Sequence, residues 1–293
     1  MSKQHLIFSR NANNGELGAE RMRYLAPAIF SDTSKSTLSP RYAQLRTADV
    51  LPVLADHGFV PVQAAQKRPR KVEADALHTQ HMVAFAHRDS LIDTYNPDGH
   101  RGEIILYNSH DGSGSIKLFV GSFRFICSNG VIAGDGYQSR LYHNQANVNS
   151  FEHMLTNTVK RLPVMMEQIE KMRSIQLTRD AQVEMATQSA LTRWKWTPEF
   201  ETEDAVIKGS YSTGATVNSL LVPNRFEDST AEAWTVYNRI QENVIRGGAL
   251  IKSITDKNPE GVYRKSRAIN SVAENVRVNR ELWDIASKVC EIA

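Results

Sequence analysis

Residues Glu103 to Gly134 read EIILYNSHDGSGSIKLFVGSFRFICSNGVIAG, and the reading of this stretch decides the fold. Ile104, Leu106 and Asn108 alternate with Ile105, Tyr107 and Ser109, the period of a β-strand, with one face expected to be the more buried. Asp111-Gly112-Ser113-Gly114 then supplies turn chemistry, because glycine takes positive φ at no steric cost and an Asp side chain bonds its own backbone. Ile116 to Val120 and Phe123 to Cys127 resume the extended pattern. The stretch predicts a hairpin at the centre of a sheet.

Upstream, the polar residues 1–22 predict a loose arm. Tyr42 to Leu45 reads as a short strand, and Thr47 as the cap of a helix bearing Val50, Leu51 and Leu54, with Gly58 at C′. Phe59 to Ala65 and Met82 to His87 are two further strands, and Tyr137 to His143 a last one. Downstream the period changes to that of helices. Ser150 caps a helix through Phe151, Met154, Leu155, Met165, Ile169 and Met172, kinked by Pro163. Thr178 caps a second helix, residues 205–228 read as loop, and Ser229 with Glu232 forms a capping box for a third helix, closed by Gly247-Gly248. A final helix runs from about Ser266. The expectation is a single α+β domain over 23–293: an antiparallel β-rich half at 40–145 with its central hairpin, and a helical half at 149–293 packed on the sheet.

A chain of 293 residues, 41% hydrophobic, can bury one large core or two modest ones. The formal charge of +3 falls short of the excess expected of a dedicated duplex-DNA binder. Cys127 and Cys290 are far apart in apolar surroundings, which argues against a disulfide framework and for a reducing compartment. No signal peptide and no run of about 18 apolar residues is present, so the expectation is a cytoplasmic protein without a membrane partner.

Two basic segments invite a polyanion. Lys67, Arg68, Arg70 and Lys71 surround one proline and form a finger that can neutralise phosphates and release their counterions; a solvated hairpin tip collects the same residues. Tyr263, Arg264, Lys265 and Arg267 lead into the last helix, where Arg277 and Arg280 share a face at i, i+3. Basic residues beside an aromatic suit single strands, and an ordinary charged helix face looks the same. His110 and Asp111 are adjacent on an extended chain and point to opposite sides, so Asp111 reads as a turn former rather than half of a catalytic pair. His78, His81 and His87 do not share one strand face, and no carboxylate or cysteine stands at a ligand interval, so no metal and no cofactor is expected. Gly112-x-Gly114 and Gly134-x-Gly136 lack the helix entry of a phosphate loop and read as turns. Cys127 at a strand end fits a buried thiol better than a nucleophile, and Trp194, Trp196 and Trp234 read as core or interface residues.

Three segments together resemble a known group: residues 105–134, the stretch WTVYNRIQENVIRGG at 234–248 and RAINSVAENVRVNRELW at 267–283. The chain is similar to the phage/plasmid-like domain-of-unknown-function family of the YafZ/YfjQ/YubP type. Its marks here are Asn108, Ser109, His110, Asp111 and Gly112, with Cys127, Asn129 and Gly130. The resemblance implies a mobile-element origin and carries over no catalytic residue. It leads to the expectation of a non-enzymatic protein that binds single-stranded nucleic acid in replication, recombination or transfer. The phosphate contacts would come from Lys67, Arg68, Arg70, Lys71, Arg264, Lys265 and Arg267, and Tyr107, Tyr137 or Tyr142 would stack bases. A sheet backed by helices and assembled as a homo-oligomer resembles single-strand annealing proteins by fold-level analogy. The alternative is a counter-defence factor that binds a host enzyme through the acidic run 199–204.

Overall fold

The alternation at 103–109 and the glycine-rich turn after it become two long neighbouring strands. The computed structural model of the chain describes residues 9–10, 15–67, 76–91, 100–124, 129–132, 138–144, 146–196 and 208–291. The sequence reading expects one domain over 23–293. The chain divides into two compact units, Met1–Met166 with Asn270–Ala273 and Glu167–Ile269 with Glu274–Ala293.

The first unit contains β1 (Ser9–Arg10), α1 (Ala19–Leu25), α2 (Thr47–Asp56), β2 (Phe59–Gln66), β3 (His81–His87), β4 (His100–Asn108), β5 (Ile116–Arg124), β6 (Asn129–Ile132), β7 (Gln138–Leu141) and α3 (Val148–Val159). Its sheet is antiparallel throughout and runs β1-β2-β3-β4-β5-β6, with β7 also paired to β5. The β4–β5 hairpin therefore lies inside the sheet, as its apolar run requires. Ile104 pairs Val120 and Leu106 pairs Leu118, and on the other side Ile105 pairs Ala84.

The expectation of one buried face is corrected. Ile104, Ile105, Leu106, Tyr107 and Asn108 are all buried, as are Met82 to Ala86 of β3. Both faces of the central strands are covered, which is why they read as continuous apolar runs rather than alternating ones. Helices α1 and α2 pack beside β2, and α3 packs against β5 and β7.

Three local readings at this end also change. Residues 42–46 form no strand. Their polar groups reach across the fold instead: Tyr42 donates its hydroxyl to Ser109 O and Ala43 N donates to His143 O. The cap of α2 is Arg46, and Thr47 is its first helical residue, with its hydroxyl turned to a buried histidine. Gly58 follows the helix at φ +80°, the C′ position expected of it. Asn147 caps α3, and Ser150 sits at its third position and bonds back to the Asn147 amide.

The second unit begins inside α4 (Leu162–Ser174), which is separate from α3, with Pro163 in its first turn rather than at a kink. It continues with α5 (Arg179–Arg193), β8 (Lys195–Trp196), β9 (Gly209–Ser212), α6 (Gly214–Leu220), α7 (Ala233–Ile245), β10 (Leu250–Thr255), β11 (Asn258–Lys265) and α8 (Val272–Val289). Thr178 caps α5 by accepting from Ala181 N. Capping of α7 differs from expectation: Glu232 is the cap residue without a side-chain bond, and Ser229 bonds Phe226 O. The predicted loop at 205–228 holds β9 and α6. The last helix, expected from about Ser266, begins at Val272, because residues 266–271 are a link that follows β11.

Within this unit α7 is buried on every side, from Ala233 to Val244. Its polar residues are buried with partners. Asn243 donates to Leu220 O and Val222 O, Gln241 donates to Asn279, and the Arg225 guanidinium grips Glu242 at 2.5 and 2.7 Å. Trp234 stacks on Tyr237, whose ring meets the edge of Trp283. Trp194 and Trp234 are core residues, as read, whereas Trp196 is exposed on β8. The fold is α+β, with a second, four-stranded sheet ordered β11-β10-β9-β8. No described helix is long and apolar enough to cross a membrane.

Candidate functional site

The family-type motif builds a buried polar cluster where β4 ends. Asn108, Ser109 and His110 are buried, and the turn after them returns the chain to β5. The Asn108 amide donates to Thr47 Oγ1 at 3.0 Å and to Leu45 O at 3.3 Å. Thr47 Oγ1 is in turn 2.7 Å from His81 Nε2, and His81 Nδ1 is 2.9 Å from Thr79 O. A carbonyl only accepts, so Nδ1 of His81 carries the proton and Nε2 accepts from the Thr47 hydroxyl. The ring of His110 lies edge-on to His81 at 5.0 Å, and Tyr42 lies 4.6 Å from His143. Backbone bonds fix the turn: His110 N donates to His78 O, and Lys35 N donates to His110 O.

Burial governs the electrostatics of this cluster. It pushes His81 down to about 4 and His110 down to about 3, the latter also repelled by its neighbouring imidazoles, and it lowers His143. At neutral pH the imidazoles are uncharged. They offer no cation to an anionic ligand and no poised acid. Among the described residues no three His, Cys, Asp or Glu side chains converge as metal ligands. Asp111 accepts from Ser113 N at 2.9 Å, a bond that forms the turn. The cluster ties residues 31–47 to the hairpin turn, and its partners Tyr42, Leu45 and Thr47 lie some sixty residues from Asn108, beyond any spacing rule.

Residues 35–283 match the family described as "Domain of unknown function (DUF932)". The chain belongs to that family. It is 29% identical to UPF0380 protein YfjQ of Escherichia coli (strain K12) over 274 residues, 92% of this chain and 90% of that one. It is also 29% identical to UPF0380 protein YafZ of the same organism over 271 residues, with the same coverage. The resemblance read from the sequence is thereby borne out. No solved structure matches the chain.

The basic candidates fare unequally. Lys67 is exposed just past β2, whereas Arg68, Arg70 and Lys71 lie outside the described residues. Cys127, Tyr137 and the acidic run 199–204 also lie outside them, and Asn129 and Gly130 are placed only as β6 backbone paired with Arg124 and Phe123. Arg264 and Lys265 stand exposed on β11, and Arg267 is exposed just after it. Arg264 keeps one bond, to Ser210 Oγ at 3.1 Å. Arg277 is committed elsewhere: its guanidinium bonds Glu274 at 2.6 and 2.9 Å, Glu281 at 2.7 Å and Thr192 O at 3.2 Å. Hydrogen bonding to Glu274 leads the effects that raise its pKa, so its charge is locally neutralised. Arg280 is half-buried, and desolvation lowers its pKa.

Among the aromatics proposed to stack, Tyr107 is buried and its pKa is raised by burial. Tyr142 is exposed beside Arg140. Tyr263, read from the sequence only as a neighbour of basic residues, is 51% exposed and shares β11 with exposed Arg264 and Lys265.

Proposed function

We propose that this chain is a non-enzymatic cytoplasmic protein that binds single-stranded nucleic acid, serving replication, recombination or transfer of a mobile element. The observation that carries the reading is β11, an edge strand on which Val262, Tyr263, Arg264 and Lys265 are all exposed. Single strands present phosphates and unpaired base faces together, and cations next to an accessible ring answer both. The modest net charge of +3 favours local contacts with a single strand over wrapping of a duplex. Lys67 and the basic residues following it would make phosphate contacts of their own on the first unit.

Fluorescence anisotropy with a labelled oligonucleotide, offered single-stranded or as a duplex, tests this reading. Binding of the single strand at low salt, tighter than binding of the duplex, is the expected result. No binding of the single strand at low salt overturns it.

A further inference from the structure

The small sheet carries a cross-strand row that no single segment of the sequence displays. Lys195 pairs Tyr211, Tyr211 pairs Lys252, and Lys252 pairs Tyr263. Residues directly opposite one another in a sheet project from the same face, so these four form one line across all four strands. With strands about 4.8 Å apart the line is roughly 14 Å long. Lys265, two residues beyond Tyr263, stands on the same face opposite Leu250.

This face is open along the row from Lys195 to Lys265. Lys195 and Lys265 are exposed, Lys252 is half-buried, Tyr263 is half exposed and Leu250 is exposed, while Tyr211 forms the floor. The other side buries Ile251, Ser253 and Ser212 and exposes Trp196, Val262 and Arg264, while on the Lys252 side Ile254 is buried beside Tyr211. The charged residues that the paired register places on this face are Lys195, Lys252 and Lys265. Two glycines keep it low. Gly261, at φ +78°, lies under Lys252, whose Cε would stand 2.7 Å from a Cβ there, and Gly209 lies beside the Tyr211 ring. The Tyr263 hydroxyl reaches Thr213 Oγ1 at 3.4 Å, past the end of β9. That reach carries the side chain across the sheet, and about half of the residue stays exposed.

We infer that this face is the strand-binding platform, with a base stacked on Tyr263 and the backbone phosphates following Lys265, Lys252 and Lys195. The inference rests on the nucleic-acid reading and specifies where on the molecule it acts. A flat aromatic between amines suits a polynucleotide better than a basic or apolar partner, because phosphates meet the amines and a base meets the ring.

The test uses the full chain and a fluorescein-labelled oligothymidylate, with thermal unfolding to confirm the fold of each variant. Tyr263→Ala is expected to weaken binding by about 5- to 140-fold, the range of one lost stacking contact. Tyr263→Phe is expected to recover most of that loss, since the ring and not the hydroxyl stacks. Lys252→Glu weakens binding in the same assay, and Phe226→Ala, at an exposed aromatic off the platform, leaves it unchanged. If the natural chain binds but neither Tyr263→Ala nor Lys252→Glu changes its affinity, the platform is wrong and the nucleic-acid reading stands. If the natural chain does not bind, both fall.

Discussion

Thr47 Oγ1 stands 2.7 Å from His81 Nε2, and this bond joins the first residue of α2 to the first residue of β3. The hydroxyl gives its proton to the imidazole and accepts one from the Asn108 amide, so a single oxygen serves two buried partners. Thr47→Val keeps the shape and removes the oxygen. It is expected to destabilise the chain by about 1–3 kcal/mol, the cost of buried polar atoms left unpaired. A shift of the urea midpoint measures this, and an unchanged midpoint contradicts it.

The histidines of this cluster set a pH dependence with a definite sign. In the unfolded chain they take up protons near pH 6.5, while in the fold His81 holds off until about 4 and His110 until about 3. Between those limits the unfolded state binds more protons, so stability falls as pH falls below about 6.5. Each imidazole contributes up to about 1.4 kcal/mol per pH unit. Denaturant titrations at pH 7, 6 and 5 read the slope, and His110→Gln is expected to make it shallower.

Much of this was legible in the sequence, for a physical reason. The apolar runs at 104–107 and 116–120 and the glycine turn between them are local signals, and the hairpin follows from them. Thr178 as a helix cap is equally local. The short strands β8 and β9 are not: they hold two and four residues, with no apolar alternation, and exist because β10 pairs β9 and β9 pairs β8. The same holds for the platform row, whose four members come from four strands. The division inside α4 has no Gly, Pro or Ser-rich linker to mark it. Arg277 and Arg280 at i, i+3 read as one basic face, yet Glu274 and Glu281, equally close in sequence, hold the charge of Arg277.

Arg277 therefore separates a charged helix face from a binding surface. Arg277→Ala is expected to leave oligonucleotide affinity within about twofold, and to cost no more than about 1 kcal/mol of stability, as partly exposed ion pairs do. Lys265→Ala, measured beside it by anisotropy, is expected to weaken binding. Equal losses in the two variants would contradict this assignment.

Glu242 anchors α7 in the second unit. Burial raises the pKa of its carboxyl, but the hydrogen bonds and charge of Arg225 outweigh burial and hold it below the usual carboxylate range. Glu242 is 8% exposed and Arg225 22%. Glu242→Gln removes one charge of a largely buried pair and is expected to cost about 3 kcal/mol. Thermal unfolding detects this as a lower Tm, and an unshifted Tm contradicts it.

The central claim is that the open face of the small sheet holds a single strand through its lysines. Its most direct measurement is the dependence of log Kobs on log salt concentration for oligothymidylate, in the natural chain and in the Lys252→Ala/Lys265→Ala double variant. Each phosphate contact on a single strand contributes about −0.7 to that slope. The slope is expected to be negative and to become shallower by about 1.4 in the double variant. A slope near zero in the natural chain, or the same slope in both proteins, would contradict the claim.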